Sequence, residues 1–336
     1  MIFLKNDYSI GAHPDVLKML VENNMEYNDT YGDDAHSAKV TKMVRDITGC
    51  PDADVHFILG GGLTNRTCMA AFLRPYDAVI CTTDGHIAVH EAGSVEQTGH
   101  RLLEVPTPDG KILPSQIDQI AAYHNMDQMV IPKLVYISNT TELGTIYTKA
   151  EMLAIREACD RHDMYLYMDG ARLGTLLGAE KNDLTIADIA KITDAFYMGG
   201  NKCGALLGEM VVITNPELRK NFRYVMRQNG SIVAKSAVAA MQFEALLTDG
   251  LYEKLGRQCN AMARKLADGV LEKGYELAYA PDSNMIYINV TKEKSAELSE
   301  KVLMYIWEEH PDHDVIRLLT SWATKEEDID AFLELL

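Results

Sequence analysis

Positive charge is what this sequence most lacks: 32 Lys and Arg stand against 49 Asp and Glu, a formal net charge of −17 over 336 residues. A nucleic acid or an anionic membrane surface needs clustered positive charge, so neither is an expected partner. A local basic pocket for a small anion remains compatible with any net charge. No apolar run approaches the roughly 20 residues of a membrane helix, and the opening MIFLKNDYSIGAHP has no basic stretch leading into an apolar core, so no secretory signal is expected. The six cysteines (Cys50, Cys68, Cys81, Cys159, Cys203, Cys259) form no CxxC and no paired spacing. Scattered single thiols fit a reducing compartment, and a cytoplasmic location is expected. Neither GxGxxG nor a P-loop occurs, which removes dinucleotide and nucleoside triphosphate readings. HExxH is missing too: His86 and His90 stand in the order HxxxHE with no obvious third ligand, so no metal is expected. There is no internal repeat and no low-complexity linker.

What is present is an ordinary globular composition, with 47% hydrophobic residues, which excludes general disorder. The length favours one large domain and a smaller one. The spacing of apolar residues predicts helices over 13–25 and into Gly49, a strand over 54–59, the run Gly60-Gly61-Gly62, and a helix over 63–72. Strands follow at 78–82, 101–105 and 133–138. A helix at 150–162, a strand at 164–168, a helix at 184–191 and strands at 194–198 and 210–214 continue the alternation. Strand–helix–strand rhythm specifies an α/β domain with a mainly parallel sheet. Beyond about residue 215 the pattern changes to helices at 216–227, 234–247 and 251–273, strands at 275–279 and 285–290, a helix at 295–309, a strand at 315–321 and a helix at 326–335. This reads as a large domain over 1–245 and a small α+β domain over 246–336, with residues 1–15 packing on the small one.

The chemistry concentrates in Tyr165–Gly208. One strand delivers Asp169 at its carboxyl end, and the next breaks at Gly199-Gly200 and presents Lys202. Parallel strands joined by a helix end on the same sheet edge, where ligands bind. An acid and an amine meeting there suit pyridoxal phosphate, which takes a lysine at its aldehyde and a carboxylate at its pyridine nitrogen. A helix cap and a solvated loop lysine are the plainer alternatives for the same two residues. GGGLTN (Gly60–Asn65) between strand and helix aims backbone N–H groups at an anion, with Thr64 as a further donor. His86 suits stacking on a flat ring. Asn139, in a turn at the same edge, could donate to a ring substituent oxygen. Arg172, three residues after Asp169, could reach a phenolate oxygen or a carboxylate. Arg317 lies in an apolar strand and requires an anionic partner, either a substrate carboxylate or a structural acid.

Gathered together, YGDD, GHIAVHEAGSVEQTGH, ISNTTELGTIYTK, YLYMDGARLG and GGNKCGALLGE make the chain resemble the threonine aldolase branch of the β-eliminating lyases, which are pyridoxal-phosphate enzymes of fold type I. The likeness runs from YSIGAHPDVL to VIRLLTSWATKEEDID. It implies a sheet of the pyridoxal-phosphate-dependent transferase type and pyridoxal 5'-phosphate as cofactor. It further implies an amino-acid substrate and a homodimer or homotetramer with shared active sites. Residue by residue, it implies that Lys202 binds the cofactor aldehyde, Asp169 pairs with the ring nitrogen and His86 stacks on the ring. Gly61 and Gly62 would hold the phosphate. Arg172 would sit near the ring oxygen and the substrate carboxylate, and Arg317 would bind that carboxylate. Lys220 and Arg227 would reach the phosphate across a subunit interface. The expected reaction is aldol cleavage of a β-hydroxy-α-amino acid, with β-elimination or a catalytically quiet paralogue as alternatives. Four positions depart from the family pattern. Gly62 and Asn201 stand where Thr is usual, Asn6 where a carboxylate-binding Ser is usual, and Gln128 where a second His contacts the substrate hydroxyl, with His124 nearby but out of register.

Overall fold

The computed structural model describes residues 1–336. A seven-stranded sheet forms its larger part, from β2 (Asp54–Ile58), β3 (Asp77–Thr82), β4 (Arg101–Val105), β5 (Ile131–Ser138), β6 (Tyr165–Asp169), β7 (Ala195–Gly199) and β8 (Glu209–Ile213), in the order β2-β8-β7-β6-β5-β3-β4. The run β4-β3-β5-β6-β7 is parallel, as expected. β8 runs antiparallel to both β7 and β2. Every residue of β3, β7 and β8 is buried, because helices cover both faces. Alternate side chains feed two cores. Val135, Ile137, Leu166, Met168, Phe196 and Met198 face one side, and Leu134, Tyr136, Tyr167, Ala195 and Tyr197 face the other. That period of two is what a doubly covered strand requires.

This topology collects chain ends at one edge. β5, β6 and β7 all finish there, and so does β2, whose Ile58 pairs with Glu209. Because β8 is reversed, its first residue, Glu209, lies at the edge where β7 ends, paired with Gly199. The ends of β6 and β7 also meet backbone to backbone. A Cβ on Gly170 would lie 2.0 Å from the Tyr197 carbonyl oxygen, and one on Gly199 would lie 2.1 Å from that of Ala171. Only glycine permits this approach, and it holds the Asp169 and Lys202 segments together.

The C-terminal part carries a three-stranded antiparallel sheet, β11-β12-β9, from β9 (Met285–Thr291), β11 (Tyr305–Glu309) and β12 (His313–Leu319). One face of the helix Leu251–Glu272 packs Ala263, Leu266, Ala267 and Val270 against Ile286, Ile288, Ile316 and Leu318. At the other end of the chain, β1 (Ile2–Phe3) pairs with β10 (Val302–Leu303), and Leu319 N–H donates to the Leu4 carbonyl at 2.9 Å. The N-terminal segment therefore lies on the C-terminal part.

Three expectations are corrected. The helix expected over 295–309 stops at Ser299; the aromatic and β-branched run after it instead pairs with β1 and β12, because tertiary partners override a local helical spacing. The strand expected over 275–279 is a single bridge at Leu277. The helix expected over 216–227 is broken at Asn221, whose φ of 63° is left-handed. The helices Pro114–Tyr123 and Leu173–Leu177 were not anticipated.

Candidate active site

A cavity of about 340 Å³ opens at the shared edge, lined among others by Tyr8, Gly61, Gly62, His86, Asp169, Asn201 and Lys202. Six residues singled out from sequence thus converge: Gly61, Gly62, His86, Asp169, Asn201 and Lys202. Asp169 ends β6 and is 4% exposed. It accepts from Tyr136 Oη (2.6 Å) and Asn65 Nδ2 (3.0 Å) at one oxygen, and from Tyr197 Oη (2.5 Å) and Ala171 N–H (3.0 Å) at the other. Burial opposes its charge, yet the nearby His86 and the donors of Tyr136, Tyr197 and Asn65 outweigh it and hold the carboxyl below its usual range. It is therefore a carboxylate at any physiological pH. Its anchors come from β5, β7 and the helix Gly61–Phe72, so the fold orients it from three sides.

His86 opens the short helix His86–Val89. Its Nδ1 lies 2.7 Å from Glu91 Oε1, which also accepts from Asn65 Nδ2 at 2.8 Å. Burial, the largest single influence, lowers the affinity of the ring for a proton, but Glu91, Glu142 and Asp169 together outweigh it, so the net shift is upward. Asn65 thereby ties the supports of His86 and Asp169 into one network. Lys202 occupies the turn between β7 and β8, its Nζ 5.9 Å from the centre of the Tyr8 ring. Gly61 and Gly62 form the first turn of the helix Gly61–Phe72, which starts without a side-chain cap. Backbone N–H groups at such an end suit an anion.

Other expected site residues lie off this cavity. Thr64 is buried, and its hydroxyl donates to the Gly60 carbonyl (3.0 Å) within its own helix. Asn139 is buried with its amide bonded to Tyr147, accepting at 3.1 Å and donating at 3.3 Å, so it braces a loop. Arg172 is 6% exposed and clamps Asp7 with Nε at 2.7 Å and Nη2 at 3.1 Å. Two of its donors are thus committed to a structural acid, which sequence spacing had not suggested. Asn6 is buried and its Oδ1 accepts from Tyr8 N–H. Arg317 lies with its guanidinium 4.8 Å from the Trp307 ring centre and 5.0 Å from that of Tyr305, and its buried Nε has no partner in the chain. Lys220 borders a different hollow beside Arg74 and Lys133, and Arg227 stacks on Tyr31 at 3.8 Å. Gln128 is in an exposed turn, and His124 bonds to the Val130 carbonyl beside β4.

Asp7, Asn65, Glu91, Tyr136, Tyr197 and Glu209 were not found from sequence. Asp7 joins the N-terminal segment to both parts of the molecule, accepting from Arg172 and, at 2.9 Å, from Asn284 Nδ2 at the foot of β9. Replacing it by asparagine leaves the Arg172 charge buried without its counter-ion. We expect Asp7→Asn to lower stability by about 3–5 kcal/mol, read as a fall in the melting temperature; an unchanged melt would show that the pair is dispensable.

The donor set fits pyridoxal phosphate on the structure's own terms: a buried, fully bonded carboxylate, a lysine, an imidazole and an uncapped helix end share one cavity. Comparison with known proteins agrees. The family model described as Beta-eliminating lyase matches residues 15–293. A low specificity L-threonine aldolase of Pseudomonas aeruginosa is 28% identical over 296 residues, covering 86% of this chain and 84% of the relative. The structure of the Leishmania major threonine aldolase superimposes with a TM-score of 0.98 at 42% identity, over 100% of this chain and 98% of that one. A double mutant of the Thermus thermophilus aspartate aminotransferase shares the fold alone, with a TM-score of 0.73 at 16% identity over 100% of this chain and 90% of that one. The architecture is that of the fold-type-I pyridoxal-phosphate enzymes.

Proposed function

The chain belongs to the beta-eliminating lyase family, and from that premise we propose that it is a pyridoxal-phosphate-dependent aldolase acting on β-hydroxy-α-amino acids, splitting threonine or allo-threonine into glycine and acetaldehyde. The observation that carries this reading is the convergence of Asp169 and Lys202 on one cavity. When bound, pyridoxal phosphate supplies the electron sink that lets a Cα–Cβ bond break. Asp169, held ionised by its donors, keeps a proton on the pyridine nitrogen. His86 would hold the ring by stacking, and Gly61 and Gly62 would offer the phosphate their N–H groups. Lys202 anchors the cofactor and returns a proton to the glycine Cα. His86 or a bound water takes the proton of the β-hydroxyl. Arg317 would bind and orient the substrate carboxylate; its unpartnered Nε and the absence of any ion pair to it within the chain support that role. Arg172 acts as a positioning residue through Asp7. Neither Lys220 nor Arg227 lines the cavity of its own chain, which is compatible with service to a neighbouring subunit in a homodimer or homotetramer. A division near residue 246, in the last turn of the helix Ser236–Leu247, would separate the cofactor domain from the small one. No helix is long and apolar enough to cross a membrane, and a cytoplasmic enzyme is the location we favour.

One observation favours a second reading. Neither Gln128 nor His124 approaches the cavity, so the region that supplies a hydroxyl-binding imidazole in the family does not supply one here, and β-elimination is the nearest rival. Release of glycine and acetaldehyde in equal amounts by cofactor-loaded protein tests the aldolase reading. Arg317→Ala tests the orientation. Losing a charge-paired carboxylate contact costs about 2–5 kcal/mol, so KM for the amino acid should rise at least 30-fold with cofactor affinity little changed. Unaltered saturation by amino acid would assign Arg317 to structure.

A further inference from the structure

The turn that presents Lys202 also brings a carboxyl to the anion-binding end of the cavity. Glu209 opens β8 between Gly199 of β7 and Ile58 of β2 and is 3% exposed, yet it lines the cavity. Its Oε2 accepts from Gly200 N–H and its Oε1 from Asn201 Nδ2, both at 2.8 Å. A Cβ built on Gly61 would lie 3.9 Å from Oε1, so the carboxyl borders the uncapped first turn of the helix Gly61–Phe72. Asn201 is fully engaged here, its Oδ1 accepting from Gly208 N–H at 2.8 Å. Its amide positions Glu209 and is not free to take the place of the usual threonine.

Burial pushes the Glu209 carboxyl up to about 8, although Gly200, Lys202 and Asn201 pull the other way; the charge of Asp169 adds to the rise. The titratable groups facing it are Lys202 from the turn, Asp169 from β6, Tyr197 from β7, Cys203, and Tyr252 from the helix Leu251–Glu272. The first turn of the helix Gly61–Phe72 adds only backbone amides. No lysine, arginine or histidine forms an ion pair with Glu209. A phosphate dianion beside an ionised carboxylate is strongly disfavoured, and a proton held between them removes that repulsion.

We propose that Glu209 is the protonated partner of the cofactor phosphate: it holds one proton, drawn from solvent when the free site is ionised, and donates it to a phosphate oxygen, so that cofactor binding is coupled to proton uptake. This rests on the pyridoxal-phosphate reading above. Glu209 becomes a cofactor-binding residue, and its ionisation sets an upper pH limit on cofactor retention.

The probe is pyridoxine 5'-phosphate, which has no aldehyde and so separates the phosphate end from Lys202. With apoprotein, followed by quenching of intrinsic fluorescence, the ratio of the wild-type Kd to that of Glu209→Gln cancels the ionisations of the ligand itself and should be nearly constant up to pH 7. It should rise about tenfold by pH 9, as expected for a single group titrating near 8 in the free protein. Glu209→Gln, neutral at every pH, lacks the Glu209 component and should bind more tightly than the wild type at pH 9. Calorimetry in buffers of different ionisation enthalpy should find about one more proton taken up per ligand at pH 9 by the wild type than by Glu209→Gln, the uptake common to both belonging to the pyridine nitrogen whose proton Asp169 holds. Equal proton uptake by the wild type and Glu209→Gln, or a Glu209→Gln profile parallel to the wild type, overturns the proposal. Failure of the wild type to bind either pyridoxine phosphate or pyridoxal phosphate at any pH would remove the cofactor reading itself, and this inference with it.

Discussion

Lys202→Ala should lower turnover of any amino-acid substrate by about 10³-fold or more, since the side chain is both the covalent anchor and a proton donor, and proton transfer alone contributes on the order of 10²–10⁴. The fold should not notice. Lys202 sits in a turn, its ammonium group 5.9 Å from the centre of the Tyr8 ring and in no ion pair or hydrogen bond, with only longer-range attraction to Asp7 and Glu209, so the loss leaves no hydrogen-bond partner unsatisfied. Circular dichroism and the melting temperature of the apoprotein should match the wild type. Borohydride treatment of the holoprotein should attach the cofactor permanently to the peptide containing Lys202, and to no peptide of the variant. Retained turnover, or labelling at another lysine, removes Lys202 from the mechanism.

Asp169→Asn is the second large effect, and it differs in kind. The substitution preserves size and removes the charge that Tyr136, Tyr197, Asn65 and the Ala171 N–H converge on. Without a carboxylate the pyridine nitrogen loses the partner that holds its proton, and kcat should fall by about 10²–10³, the range for loss of a preorganised charge at a reacting centre. The cofactor should remain bound through its phosphate and Lys202, so the visible absorbance persists while turnover drops. Alanine is the poorer probe: it strands two buried hydroxyls and an amide, each at about 1–3 kcal/mol, and confuses stability with chemistry. A kcat unchanged in Asp169→Asn would separate Asp169 from the ring nitrogen.

What the sequence made legible follows from how local each signal is. Asp169 and Lys202 were found because short apolar strands followed by glycine mark chain ends, and parallel neighbours put those ends on one edge. Gly61, Gly62 and His86 were legible for the same reason. Arg172 misled because its nearest functional neighbour in sequence is Asp169, whereas its partner in space is Asp7, 165 residues away. Tyr136 and Tyr197 look like ordinary strand aromatics; only the register of β5, β6 and β7 turns their hydroxyls onto Asp169. Glu209 was hidden by the reversal of β8, which a strand-helix rhythm does not reveal, since the link from Lys202 to β8 contains no helix. The strands within 302–309 failed differently: their pairing is with residues 2–3 and 313–319, so no local period could report it.

The most direct test of the account is a product analysis. Cofactor-loaded protein is incubated with threonine and with allo-threonine, and every carbonyl and amino product is identified. Glycine and acetaldehyde are expected in equal amounts from at least one of the two, with neither formed by Lys202→Ala. Formation of 2-oxobutyrate and ammonia in their place would make the protein a β-eliminating enzyme, and no product from either amino acid would contradict the aldolase assignment.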